Sequence, residues 1–190
     1  MNVLVCAACG HHLTEPLRPL PELPPRPADG LTVDVPVAPD GLTVDVPVDP
    51  DGPADDVPVA PDGASHAPST VPRGAYAVDP EPCGAPFVPY PDPERVESAV
   101  PGGRGGAPDG PGRLVSAGPR DTLVVHPEDS AAFLARDPAS RGTGCCGESG
   151  TEGPNRVCGG CGAPVATLFS ECYGPYEIHF LPDAVRTVPA

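Results

Sequence analysis

The chain has 190 residues, eight of them cysteine, and a formal net charge of −15 at pH 7. Gly 23 and Pro 32 fill about 29% of it, while Leu, Ile, Val and Phe supply only about 21%, so any core must be small. All eleven basic residues are arginine, which excludes a Schiff-base or P-loop lysine, and the negative charge argues against nucleic acid or an anionic membrane as the main partner.

The first segment, MNVLVCAACGHH, places a short apolar strand at Asn2–Cys6 ahead of a C-x-x-C turn formed by Cys6 and Cys9. Its apolar run is too short for a signal peptide and has no basic flank, and no stretch reaches the ~18 apolar residues of a spanning helix. A cytoplasmic location is expected, where cysteines serve metal or redox chemistry more often than structural disulfides. His11 and His12 follow the turn as spare ligands or, more simply, as exposed side chains of the next strand.

Residues 1–20 are expected to pack with residues 70–190 as one β-rich unit, separated by a disordered acidic insertion over 21–69. Within it, residues 31–63 repeat with period eleven: LTVDVPVAPDG, LTVDVPVDPDG, PADDVPVAPDG. Alternating Val and Pro favours extended or polyproline backbone, and proline cannot donate to a sheet ladder. Asp29 to Asp62 holds nine acids and no arginine. The units lack the closing Glu or Gly-Asp nonapeptide of calcium loops, so a solvated spacer is expected.

A strand is predicted at Ala75–Val78, and Cys83 in EPCGAP reads as a plain thiol. Residues 91–113 end in PGGRGGAPDGPGR, a flexible loop whose glycines do not fit G-x-G-x-x-G. Strands follow at Leu114–Ala117 and Thr122–His126. Pro127, Glu128 and Asp129 then predict a short helix through Ala135, with proline first and acids in the first turn. Asn155–Cys158, Pro164–Ser170 and Tyr176–Leu181 are β-like. His126 stands at the helix entry and His179 alternates within a strand; neither has a catalytic partner visible in sequence.

The partner of the first C-x-x-C turn is at NRVCGGCGAPVAT, where Cys158 and Cys161 repeat the arrangement. Each pair has a short strand before it and a glycine after it, which permits the positive φ that closes a knuckle. Two such knuckles supply four thiolates for one Zn2+, the zinc-ribbon pattern. The spacing between them, about 150 residues, is tolerable because loop closure grows only logarithmically with length. A redox dithiol is the alternative, although neither pair precedes a helix as thioredoxin-like motifs do. Cys145, Cys146 and Cys172 are alternate ligands, and Cys146, Cys158, Cys161 and Cys172 form the rival set. Four sulfurs close the coordination sphere, and no nucleophile elbow, H-E-x-x-H or deaminase motif appears, so an enzyme is not expected.

LVCAAC at Leu4–Cys9, YAVDPEP at Tyr76–Pro82 and the run CCG-x-x-G-x-x-GPN-x-x-C-x-x-CG-x-x-VAT at Cys145–Thr167, with Cys172 close behind, cover about a fifth of the chain. In these residues it resembles a group of uncharacterised cysteine-rich proteins of high-GC Gram-positive bacteria with zinc-ribbon-like knuckles. The resemblance implies a cysteine-based site and supplies no activity.

The fold expected is a small β-rich (α+β) zinc-ribbon-like domain with one short helix and long Pro/Gly-rich insertions. The function expected is a structural four-cysteine zinc site in a module that binds a protein partner. The alternative is a thiol-based redox or metal sensor using Cys145 and Cys146.

Overall fold

The computed structural model describes residues 1–26, 68–89, 114–140, 142, 144, 147–171 and 174–190. The repeats at 31–63 and all of the glycine-rich stretch at 91–113 lie outside the described residues, as do Cys145, Cys146 and Cys172.

Eleven short strands make up the described chain: β1 (Asn2–Cys6), β2 (Arg18–Pro19), β3 (Ala75–Asp79), β4 (Phe87–Pro89), β5 (Leu114–Ser116), β6 (Thr122–Val125), β7 (Leu134–Arg136), β8 (Arg156–Cys158), β9 (Pro164–Phe169), β10 (Glu177–Phe180) and β11 (Val185–Pro189). Seven form one sheet in the order β2-β3-β6-β10-β9-β8-β7. Its pairs are antiparallel except β2 with β3. β1 and β11 form a separate antiparallel ribbon, with Asn2 opposite Pro189 and Cys6 opposite Val185. β4 and β5 form a second separate two-stranded antiparallel sheet.

The ribbon explains why Val3, Leu4 and Val5 are consecutive rather than alternating: all three are buried. Leu4 and Val185 meet Val125, Val165, Ile178 and Phe180 of the large sheet in the main core, and Leu13 and Leu17 fill its edge. Residues one step along the same strands face the other way. Ala75 and Ala77 of β3 and Val124 of β6 form a second cluster with Val71, covered by Leu20 and Leu23. Residues 21–26 therefore lie on the sheet rather than in the expected insertion, with Arg26 reaching Asp79 at 2.6 Å.

The predicted helix through Ala135 is not formed. Pro127–Asp129 make a single 3-10 turn, the only helical element among the described residues, and His126 Nδ1 accepts from Glu128 N–H at its start. The acids that suggested a helix N-terminus act elsewhere. Asp129 accepts from Arg73 Nε and from Gly74 N–H, both at 2.7 Å. The chain then pairs Leu134–Arg136 with β8, with Leu134 opposite Cys158. An isolated helix this short is marginal, whereas the edge of β8 offers unpaired backbone groups.

Candidate metal centre

Each C-x-x-C turn ends a strand. In the first, Cys6 N–H donates to His11 O at 2.8 Å and Gly10 N–H to Cys6 O at 2.9 Å. In the second, Cys158 N–H donates to Ala163 O and Gly162 N–H to Cys158 O, both at 2.8 Å. Gly10 has φ +74° and Gly162 φ +75°. The same bonds at the same offsets, closed by the same left-handed glycine, make the two turns structural equivalents. Only glycine enters that region without strain, which accounts for C-x-x-C-G occurring twice.

The fold brings the turns together. The first ends β1 of the ribbon and the second ends β8 of the sheet, and Cys6 and Cys158 belong to the same buried core. Cys6 Sγ lies 3.8 Å from Cys161 Sγ, and Cys9 Sγ lies 3.7 Å from Cys158 Sγ. All four sulfurs are within 4.8 Å of one another. A zinc ion with Zn–S near 2.3 Å has a tetrahedral edge of about 3.8 Å, so the donor set fits one ion. Cys6 and Cys158 are buried; Cys9 and Cys161 face solvent.

Backbone amides point at the sulfurs, as in Gly160 N–H to Cys158 Sγ at 3.4 Å. Burial opposes the Cys6 thiolate, but the amides of Cys9 and Ala8, together with the Cys161 and Cys9 side chains, lower Cys6 to about 7. At Cys9 the His11 amide favours the thiolate, yet the sulfurs of Cys161, Cys158 and Cys6 push the group up to about 12. Four sulfurs this close resist ionising together, and a bound dication removes the conflict.

His11 is exposed and is not in the four-residue cluster. Its ring lies over the second knuckle: a Cβ on Gly160 would sit 2.9 Å from His11 Cβ and Cγ. A Cβ on Gly159 would meet Phe133 O at 2.7 Å. The Gly-Gly pair between Cys158 and Cys161 thus leaves room for His11 and for the backbone at Phe133. Cys83 is buried and is not in this cluster.

Sequence reasoning missed a second polar assembly. Glu177 and His179, two apart on β10, share the face opposite Ile178 and Phe180 and are buried. His179 Nδ1 lies 2.9 Å from Thr122 Oγ1, and His179 Nε2 lies 3.0 Å from Glu177 Oε2. Arg26 Nε stands 3.8 Å from the same Glu177 oxygen. Burial works against a charged His179, but Cys83 and Glu177 beside it dominate and raise it to about 10. Burial likewise opposes the Glu177 carboxylate, while His179 and Arg26 hold it below the usual carboxylate range. Alternation in E-I-H-F was the available signal; what covers that face, residues 20–26 and the Cys83 loop, was not visible.

No helix of the described residues is long and apolar enough to cross a membrane. Comparison of the chain with protein-family models, with curated proteins and with solved structures finds no match.

Proposed function

We propose that Cys6, Cys9, Cys158 and Cys161 bind one structural zinc ion, and that the protein is a cytoplasmic, non-catalytic module that binds another protein. The observation that carries the zinc assignment is the pair of equivalent knuckles whose sulfurs lie within 4.8 Å of one another. Four thiolates suit zinc, and a closed set gives the metal an architectural role. When bound, the ion supplies a cross-link between β1 and β8, and its binding energy contributes to folding. A chain with so few large apolar residues has need of such a staple. The acidic Pro-rich segment at 31–63 supplies a spacer or docking arm for a protein partner.

Metal analysis tests the assignment. The purified protein is expected to carry one zinc per chain, and Cys9→Ser and Cys161→Ser each to lose it. Full zinc retention by Cys9→Ser would move the site to the C-terminal cysteines. Affinity capture from the native host under crosslinking tests the binding role. Recovery of the same protein by wild type but not by a chelated sample supports it, and turnover of a small molecule by the purified chain would overturn it.

A further inference from the structure

Two short sulfur contacts run across the knuckles. Cys6 Sγ is 3.8 Å from Cys161 Sγ, and Cys9 Sγ is 3.7 Å from Cys158 Sγ. Each contact joins one buried and one exposed cysteine. We propose that the centre has a second, covalent closed state, in which hydrogen peroxide converts these contacts into Cys6–Cys161 and Cys9–Cys158 disulfides. The two knuckles then stay joined after the metal leaves. This rests on the four-thiolate metal assignment above.

The chemistry balances with peroxide as oxidant. The exposed thiolate of Cys9 or Cys161 attacks one peroxide oxygen, the O–O bond breaks, hydroxide leaves and a sulfenic acid forms. The buried thiolate of its partner, Cys158 or Cys6, attacks that sulfenic sulfur and expels a second hydroxide as the S–S bond forms. Each disulfide consumes one peroxide and takes two electrons from two sulfurs. Both disulfides remove all four thiolate charges, so the ion departs as an unreduced dication. Each sulfur pair must close by about 1.7 Å to reach a bond length near 2.05 Å, a side-chain movement in an emptied centre. The exposed members give a small oxidant access, and the buried members are already beside them. Pairing inside each knuckle, Cys6 with Cys9 and Cys158 with Cys161, would instead release one knuckle from the other.

The full chain carrying Cys172→Ser is the test sample, with zinc content measured before and after titration with hydrogen peroxide. Trypsin does not cut Arg18–Pro19 or Arg26–Pro27, so Cys6 and Cys9 fall on residues 1–73 and Cys158 and Cys161 on residues 157–186. The expected result is a single linked species, four hydrogens lighter than the two peptides together, appearing as zinc is released. Adding Cys161→Ser should leave only the Cys9–Cys158 link. Two separate peptides, each two hydrogens lighter, would overturn the proposal, as would metal release with no disulfide at all. Zinc content of the reduced sample reports on the metal assignment separately: a linked product from a zinc-free protein supports the disulfide pairing while removing the zinc.

Discussion

Gly10→Ala and Gly162→Ala should cost the protein nearly the same stability. Both glycines sit in the left-handed region, at φ +74° and +75°, and each N–H closes its knuckle onto a cysteine carbonyl at 2.8–2.9 Å. A Cβ at either position meets nothing within 4 Å, so no steric term separates them. The left-handed backbone costs an L-residue roughly 1–2 kcal/mol. Against this, alanine restricts the unfolded chain and returns roughly 0.4–1 kcal/mol. The net is about 1 kcal/mol of destabilisation at each site, from urea denaturation in zinc-saturated buffer with the slope unchanged. Gly160→Ala is the contrast, because its cost is steric, against His11. His11→Gly, which removes both the Cβ and the Cγ that the new methyl meets, should relieve it, giving a favourable coupling in a double-mutant cycle. Costs at Gly10 and Gly162 that differ by more than about 1 kcal/mol, or a stabilising alanine at either, would refute the equivalence of the knuckles.

The buried His179 makes stability depend on pH. Its folded-state value of about 10 lies above the ordinary 6.5, so its contribution is full below pH 6.5 and is lost as pH rises through about 10. The thermal midpoint should fall over that range, and less steeply in His179→Gln. Glu177, held low, acts oppositely: its contribution is present above the ordinary carboxylate value and is lost as pH falls, which acid titration of Glu177→Gln against wild type will show. Phe180→Ala, at a fully buried position between ribbon and sheet, should cost about 3–5 kcal/mol in urea denaturation. Deleting Leu31–Gly63 should leave zinc content and thermal midpoint nearly unchanged, and a large fall in the midpoint would contradict the spacer role.

Seven predicted strands have counterparts in β1, β3, β5, β6, β8, β9 and β10, because their Val, Leu, Phe and Ile runs are locally unambiguous. The four knuckle cysteines were legible for a related reason: C-x-x-C-G encodes a local turn, and that turn forms twice. The strands that escaped notice are set by partners instead. β2, β4 and β11 each contain proline, which argues against a ladder when read alone, yet all three are edge strands, β2 of the large sheet and β4 and β11 of two-stranded pairs. β7 follows a helix-start signal whose carboxylate, Asp129, turns out to hold Arg73 and Gly74, residues more than fifty positions away. The Glu177–His179 pair was hidden in the same way. A polar residue on an alternating strand reads as solvent-facing unless the covering segment is known, and here that cover arrives from residue 26 and residue 83.

X-ray absorption at the zinc edge on the purified full-length protein tests the central claim most directly. One zinc per chain is predicted, with a shell of four sulfurs at about 2.3 Å and no lighter scatterer, lost together in Cys9→Ser and in Cys161→Ser. A shell containing nitrogen or oxygen, or a four-sulfur shell that survives Cys9→Ser, would contradict a centre built from both knuckles.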